Sequence, residues 1–277
     1  MTQTRTWSPR EGAAEFVVEA TSHVGHVREV NEDAWLVAPP VFVVADGMGG
    51  HAAGDVASGI VVEEFAALEG REDLDPAAID AVLDRCRTRI DILAADGAAP
   101  GTTVVAAVLV QQSGFDYWLV VNVGDSRAYL WSDHALDQVS TDHSVVQELI
   151  DAGSITAREA RRHPERHLVT RALGGHDVSP ADYALVPAHT GATLVLCSDG
   201  LSGEITDSHI ARILERRVSD AAAEPVADRL VAAALDAGGR DNVTVIVIRP
   251  ARASAPEVTV PPADLDETTN PSTRRRS

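Results

Sequence analysis

The distribution of apolar and polar residues predicts a chain of short strands and amphipathic helices. Apolar runs rich in β-branched residues are typical of buried strands, and they occur at residues 15–21, 34–37, 41–45, 104–110, 118–123, 183–186, 193–198 and 243–248. Apolar residues recur with helical spacing at residues 52–68, 75–93, 145–152, 207–217 and 223–237. Two helices followed by two closely spaced strands indicate segregated helices and strands, which is the α+β class.

Three segments differ in composition from the rest of the chain. Residues 1–15 are polar, and we expect no regular structure there. The insert 143–168 is rich in arginine and histidine, and it is either a solvated surface excursion or a flap beside an active site. From Ala251 onward proline, threonine, serine and aspartate dominate. We therefore expect one folded domain over residues 1–250 and a disordered tail over residues 251–277.

Charge and hydropathy exclude several classes of partner. A net charge of −19 and a pI near 4.8 argue against nucleic acid or an anionic membrane as a general partner. No apolar run reaches membrane-spanning length, and the N-terminus lacks the apolar core of a signal peptide. Cys86 and Cys197 lie on a predicted helix and a predicted buried strand, so we expect reduced core thiols. The prediction is a soluble cytoplasmic monomer.

Four aspartates stand at the ends of predicted strands. Asp46 and Asp199 each follow an apolar run and precede a glycine, Asp125 follows the strand at 118–123, and Asp241 comes just before the last strand. A single Asp-Gly pair is more often a turn, but neighbouring antiparallel strands bring such ends to one edge of a sheet. Two like charges ~4 Å apart repel by about 4 kcal/mol at an effective dielectric constant near 20. The recurrence therefore predicts a divalent metal site on one rim.

The charged segment before the strand at 34–37 has two interpretations. It contains Arg28, Glu32 and Asp33 within six residues. A charged hairpin loop is the simpler interpretation. In the functional interpretation, Arg28 grips an anion bidentately while Glu32 or Asp33 holds metal-bound water. His51 is likewise either a ligand or a helix-start residue bonded to backbone.

Seven short motifs then occur in a fixed order. They are Arg28 with Asn31-Glu32-Asp33, Ala45-Asp46-Gly47-Met48-Gly49-Gly50-His51, Gly101-Thr102-Thr103, Gly124-Asp125-Ser126-Arg127, Asp142-His143-Ser144, Ser198-Asp199-Gly200 and Gly239-Arg240-Asp241-Asn242. With these motifs the sequence resembles the metal-dependent protein phosphatases (the PPM or type-2C family), particularly the compact bacterial serine/threonine members. The resemblance runs from about Glu15 to Ile248.

The resemblance implies a fold and an activity. The expected fold has four layers, αββα, with a central sandwich of two antiparallel β-sheets flanked by antiparallel helices. The expected reaction is hydrolysis of phosphoserine and phosphothreonine in phosphorylated proteins by a hydroxide that bridges two Mn²⁺ or Mg²⁺ ions. The resemblance also assigns roles to individual residues. Asp46 bridges both metals, the Gly47 carbonyl binds the second, and Asp199 and Asp241 complete the shell of the first. Asp125 with Asp199 holds a third metal. Contacts to metal-bound water come from Glu32, Asp33 and Asn242, and Arg28 binds the phosphate.

One departure from the eukaryotic pattern concerns the proton donor. Those enzymes place a histidine after the Asp-Gly pair as the proposed general acid, whereas this chain has Met48, as many bacterial members do. A methionine cannot donate a proton. We therefore expect another donor, and a water on the third metal, beside Asp125, is our hypothesis. His23 stands where many members of the resembled family have an acid.

Two other function classes stay open beside a protein serine/threonine phosphatase. One is a phosphatase of the same fold dedicated to a regulatory partner, such as an anti-sigma-factor antagonist. The other is a non-catalytic pseudophosphatase, which a lost metal ligand would indicate. A phosphoaspartate-type hydrolase is disfavoured, because Asp46 is not followed two residues later by a second aspartate. Thr268 and Thr269 in the tail are candidate phosphoacceptors for a partner serine/threonine kinase.

Overall fold

A computed structural model describes residues 2–10, 15–49, 53–93, 100–175, 179–189, 191–216 and 224–251. The strands are β1 (Thr2–Trp7), β2 (Phe16–His23), β3 (Asp33–Ala38), β4 (Val41–Met48), β5 (Gly101–Thr102), β6 (Val104–Gln112), β7 (Phe115–Val123), β8 (Arg127–Ser132), β9 (Ala135–Gln138), β10 (Asp182–Pro187), β11 (Thr193–Cys197) and β12 (Val243–Pro250). The helices are α1 (Gly54–Ala66), α2 (Pro76–Leu93), α3 (Val145–Asp151), α4 (Ala157–Ala160), α5 (Asp199–Ser202), α6 (Asp207–Arg216) and α7 (Val226–Ala237).

The strands form two antiparallel sheets of six strands each. The first sheet has the order β1-β2-β12-β11-β8-β9. The second has the order β10-β7-β6-β4-β3, and the short β5 pairs with the end of β4. Neighbours in both sheets pair antiparallel, so that strand ends and strand starts alternate along each edge.

Strand β4 illustrates how the layers are built. Its side chains alternate between the two faces of the sheet, with Val41 and Val43 in the core beneath α1 and α2, and Phe42 and Val44 in the core between the sheets. A third core lies between the first sheet and helices α5 to α7. Every strand in the middle of either sheet is therefore covered on both faces, which explains the unbroken apolar runs. The α+β, four-layer prediction is confirmed.

The prediction for the N-terminus is wrong. Residues Thr2–Trp7 form an edge strand that pairs with β2 from Thr2↔Thr21 to Trp7↔Phe16. Five of its six residues are exposed, and only Trp7 is partly covered. An edge strand that is exposed to solvent on both faces needs no alternation of apolar and polar residues, so the sequence contains no hydrophobic pattern that would predict it.

The predicted helices and thiols agree with the structure, with small shifts at the ends. Asp75 caps α2, because its Oδ1 accepts the Ala78 N–H at 2.8 Å. Helix α4 opens with a capping box of Thr156 and Glu159. Cys86 and Cys197 are free and buried, and burial raises the pKa of each thiol to about 12, so both are inert core groups.

The described chain ends just inside the predicted tail. Ala251 donates its N–H to the Glu15 carbonyl at 2.7 Å, so it still belongs to the sheet edge. The rest of the predicted tail lies outside the described residues, as do Gly50 and His51, and the alternatives for His51 stay open. Among the described residues, no helix is both long and apolar enough to cross a membrane.

Candidate active site

The four aspartates line one cavity of about 530 Å³ where the ends of the two sheets meet. Asp46 lies near the end of β4 and Asp125 follows β7, both in the second sheet. Asp199 follows β11 and Asp241 precedes β12, both in the first sheet. The cluster thus forms between two sheets rather than along the rim of one, and each sheet supplies two carboxylates.

Two glycines allow the backbone segments of the cavity to touch. A Cβ at Gly47 would lie 2.2 Å from the Gly54 carbonyl oxygen and 2.6 Å from that of Glu32. A Cβ at Gly200 would lie 1.9 Å from the Asn242 carbonyl oxygen. Any side chain at either position would push these segments apart, which explains why each Asp-Gly pair requires its glycine.

Two threonines hold the main chain of Asp46 in place. The Thr103 hydroxyl accepts the Asp46 N–H at 3.1 Å, and the Thr102 hydroxyl donates to the Asp46 carbonyl at 3.0 Å. The Thr103 N–H also donates to that carbonyl at 2.9 Å. The Gly101-Thr102-Thr103 motif therefore positions a carboxylate, and Thr103 itself lines the cavity.

The cavity disfavours the ionised form of its carboxyl groups. Burial raises the pKa of Asp46 well above its usual value, and the nearby charges of Asp33, Asp199, Asp125 and Asp241 raise it further. Burial followed by repulsion from Asp199 and Asp142 raises the pKa of Asp125 in the same way. The carboxylates are therefore close enough to disfavour one another's ionised form.

The residues present fit divalent cations on the chemistry of their donors. All four cavity aspartates offer carboxylate oxygens, which hard cations prefer. Asp33 adds an orphaned acceptor, because its buried Oδ1 has no hydrogen-bond partner while its Oδ2 accepts from the Ser198 hydroxyl at 2.8 Å. Burial raises the pKa of Asp33 to about 7. Within the described part of the chain no three His, Cys, Asp or Glu side chains already form an ion-binding cluster, so the fit rests on donor type and mutual repulsion.

Asn242 anchors the charged segment that carries Arg28 and Glu32. Its Oδ1 accepts the Glu32 N–H at 2.8 Å, and its Nδ2 donates to the carbonyls of Val24 and Val30 at 2.9 and 3.0 Å. These bonds engage both ends of its amide, so the structure gives Asn242 a positioning role. That it also contacts metal-bound water stays a prediction.

Arg28 lies at the cavity wall beside Asp241. Its Nη2 donates to Asp241 Oδ2 at 2.8 Å, and half of its side chain remains exposed. Glu32 also lines the cavity, while its carbonyl accepts from Gly47 N–H at 3.2 Å and from the Ser58 hydroxyl at 2.6 Å. The segment is thus part of the site rather than a free hairpin loop.

The insert contributes side chains that the sequence interpretation did not single out. Arg166 and His167 line the cavity, which favours the flap interpretation over a surface excursion. The flap rests on the loop after α5, because Arg161 Nη2 contacts the carbonyls of Ser202 and Ile205 at 3.5 and 3.3 Å. The richness of the insert in arginine and histidine was the available signal, but only the fold selects which of them reach the cavity.

This chain is similar in sequence to known protein phosphatases. Residues 21–236 match the family model described as protein phosphatase 2C. The chain is 40% identical over 237 residues to the serine/threonine protein phosphatase PstP of Mycobacterium tuberculosis, covering 82% of this chain but 44% of PstP. It is 36% identical over 239 residues to the serine/threonine phosphatase stp of Listeria monocytogenes, covering 81% of this chain and 92% of the relative.

Solved structures show the same similarity. The crystal structure of the Mycobacterium tuberculosis serine/threonine phosphatase PstP/Ppp superposes with a TM-score of 0.77 at 37% identity, covering 85% of this chain and 98% of that one. The catalytic domain of PstP in complex with two manganese ions superposes with a TM-score of 0.74 at 36% identity, covering 84% and 97%.

Proposed function

We propose that this chain, which belongs to the protein phosphatase 2C family, is a metal-dependent protein serine/threonine phosphatase acting on phosphorylated proteins. The observation that carries the proposal is the meeting of Asp46, Asp125, Asp199 and Asp241 at one cavity that also contains Arg28. Four carboxylates in one cavity repel one another, and divalent cations bound between them would remove that repulsion.

We assign the metal-binding roles as the family resemblance implies. Asp46, the Gly47 carbonyl, Asp199 and Asp241 would hold two Mn²⁺ or Mg²⁺ ions, and Asp125 with Asp199 would hold a third. Glu32, Asp33 and Asn242 would contact metal-bound water. When bound, such cations reverse the negative field of the cavity, lower the pKa of coordinated water and stabilise an in-line displacement at phosphorus.

Arg28 is suited to orient the phosphate. In the structure its guanidinium pairs with Asp241, and that contact raises the pKa of Arg28 further. Neutralising the Asp241 charge would weaken this pair and free the guanidinium fork for a phosphate dianion. Lysine could not replace it, because an ammonium group lacks the planar fork that two phosphate oxygens require.

The surroundings of the cavity support a protein substrate. The flap brings Arg166 and His167 to the cavity wall, and Arg240 stands there too, held by both carboxylate oxygens of Glu204 at 2.9 Å. Arg166 adds positive charge where a phosphorylated segment must approach, against the net charge of −19 of the whole chain. We expect phosphoproteins as substrates, a serine/threonine kinase as the opposing enzyme, and a catalytic domain that ends near residue 250.

The direct test is turnover of a phosphothreonine peptide with Mn²⁺ and with excess chelator. We expect turnover with Mn²⁺, none in chelator, and none for Asp241→Asn with Mn²⁺. Asp137→Asn is the matched control, because it removes the same charge from an exposed position on β9. Full turnover in chelator would contradict the metal mechanism. Absence of turnover in the wild type, with Mn²⁺ still bound, would favour the pseudophosphatase.

A further inference from the structure

His143 connects the turn that carries Asp125 to the base of the flap. Its backbone N–H donates to the Gly124 carbonyl at 2.9 Å, and its ring Nδ1 accepts the Gly124 N–H at 3.1 Å. Its carbonyl accepts the Thr170 N–H at 2.8 Å, and Ser144 bridges to Val169 where the flap closes. His143, which is 5% exposed, is the first residue of the flap. It therefore links the turn before Asp125 to Thr170, just beyond the other end of the flap.

The contacts of the His143 ring define its tautomer. Because Nδ1 accepts a backbone N–H, it carries no proton, and a neutral ring must carry its proton on Nε2. Nε2 lies 3.2 Å from Asp182 Oδ2 on β10, so it donates there. Arg171 Nη1 lies 3.2 Å from both Asp182 Oδ1 and His143 Nε2, so the Asp182 carboxylate is the acceptor that the two donors share, one on each oxygen.

Asp182 is suited to be that acceptor. Burial alone would raise its pKa, but the hydrogen bond from His143 and the charge of Arg171 hold the pKa below its usual value. An ionised carboxylate selects the Nε2–H tautomer and orients the ring, as carboxylates do for histidines at metal sites.

The turn at Gly124 needs these bonds to hold its shape. Gly124 has φ = +110°, and a Cβ there would lie 2.6 Å from the Thr103 side chain. Its carbonyl also accepts from Asn122 Nδ2 at 3.1 Å, while within the described residues its N–H bonds to His143. The next residue is the buried Asp125, whose charge is repelled by Asp199. A carboxylate held against repulsion depends on a well-fixed backbone.

We propose that His143, in its neutral Nε2–H form fixed by Asp182, is a positioning residue that holds Asp125 at the cavity and couples it to the flap base. The metal-binding part of this proposal rests on the proposed function. The role belongs to one atom, Nδ1, as acceptor for the Gly124 N–H.

Two isosteric variants separate the acceptor from the bulk of the ring. The amide oxygen of His143→Asn can take the place of Nδ1, whereas the amide of His143→Gln reaches only the place of Nε2. We expect His143→Gln to lose about 10–100-fold in affinity at the weakest Mn²⁺ site, as is typical when a group supporting a metal ligand is removed. His143→Asn should retain that affinity within about threefold. Titration calorimetry with Mn²⁺ measures this without any turnover, and melting temperature in chelator reports folding of each variant.

Equal affinity in both variants and the wild type would overturn the proposal. Equal losses in both would also overturn it, because the acceptor atom would then not matter.

The tautomer can be tested without substrate or metal. In protein labelled with ¹⁵N at its 10 histidines, the signal absent from His143→Asn identifies His143. We expect ring shifts of an unprotonated Nδ1 and a protonated Nε2, and a protonated Nδ1 would overturn the proposal. If the wild type hydrolyses no phosphopeptide, the proposed function fails, while the calorimetric and ¹⁵N measurements still decide the role of His143.

Discussion

Arg127 and Asp142 join two of the sequence motifs through a forked ion pair. Arg127 Nη2 donates to Asp142 Oδ2 at 2.6 Å, and Arg127 Nε lies 2.9 and 3.0 Å from the two carboxylate oxygens. The Tyr129 hydroxyl accepts from Arg127 Nη1 at 2.9 Å, and Gln138 Nε2 donates to Asp142 Oδ1 at 2.8 Å. Arg127 is the first residue of β8 and Asp142 directly precedes the flap, and neither of the two lines the cavity. The pair is therefore suited to shape the site rather than to contact substrate.

Breaking this pair should cost stability. In the intact pair only 21% of the Arg127 side chain is exposed, and Asp142→Ala leaves its guanidinium with the more distant Asp207 Oδ1, at 3.8 Å. We expect a loss of roughly 3–5 kcal/mol in the free energy of unfolding. Urea denaturation in chelator measures it.

The double variant Arg127→Met/Asp142→Leu is the control, because it removes both charges and keeps apolar volume. We expect it to be more stable than Asp142→Ala alone. If the double variant is the less stable of the two by several kcal/mol, the pair itself is not the source of the loss.

A substitution at Asp46 should change stability in the opposite direction. Burial and four neighbouring carboxylates disfavour its ionised form, so Asp46→Asn should stabilise the metal-free protein at pH 8 while abolishing turnover. Because the folded-state pKa lies above the usual 3.8, the unfolded chain releases its proton first, so the cost begins as the pH rises above about 3.8 and is complete above the folded-state pKa. The gain should therefore shrink as the pH falls toward 4.

Melting temperatures in chelator at pH 5 and pH 8 check this expectation. Asp137→Asn, which changes the same charge at an exposed position, should show no such gain. Destabilisation by Asp46→Asn at pH 8 would mean that the carboxylate is already well solvated or paired without metal.

Local sequence patterns are enough to predict the buried strands and the aspartates at their ends. Apolar runs covered on both faces identify β4, β6, β7, β11 and β12, and the same strand ends point to the aspartates. Edge strand β1 is missing from that prediction because its polar side chains face water on both sides. The meeting of two carboxylates from each sheet depends on how the sheets pack face to face, which no local pattern encodes.

Several supporting residues also depend on distant contacts. Thr103 holds Asp46 across 57 residues, and Asn242 holds Glu32 across 210. The motifs that contain Thr103 and Asn242 can be recognised in the sequence. Their supporting roles cannot, because each residue meets its hydrogen-bond partner only in the folded protein. Gly47 and Gly200 are the intermediate case, because the sequence suggests a turn while the structure adds the close approach of a second backbone.

We expect residues 252–277 to be dispensable for the folded domain and for the proposed activity. Because Ala251 bonds to Glu15, we place the cut after Ala251 rather than after Pro250. Removal of residues 252–277 should leave melting temperature and peptide turnover nearly unchanged, since this composition lacks the apolar content to join a core. A large loss of either would show that the tail docks on the domain. Mass spectrometry of the native protein would test Thr268 and Thr269 as phosphoacceptors.

The last prediction concerns the proton that the leaving group requires. A departing serine alkoxide needs a proton, whereas nitrophenolate leaves readily without one, and general-acid help is typically worth ~10²–10⁴-fold. Met48 lines the cavity but cannot donate. If the donor depends on Asp125, Asp125→Ala should lose about 10²-fold or more on a phosphoserine peptide and much less on p-nitrophenyl phosphate. Calorimetry should still find the two tighter Mn²⁺ sites.

His167 is the matched comparison, because it lines the same cavity and can carry a proton. If His167→Gln shows the peptide-selective loss and Asp125→Ala loses activity equally on both substrates, then Asp125 serves metal binding in general and the proton comes from the flap. Rates measured with saturating Mn²⁺ separate these outcomes, because a defect in metal affinity alone is overcome at high ion concentration whereas a missing proton donor is not.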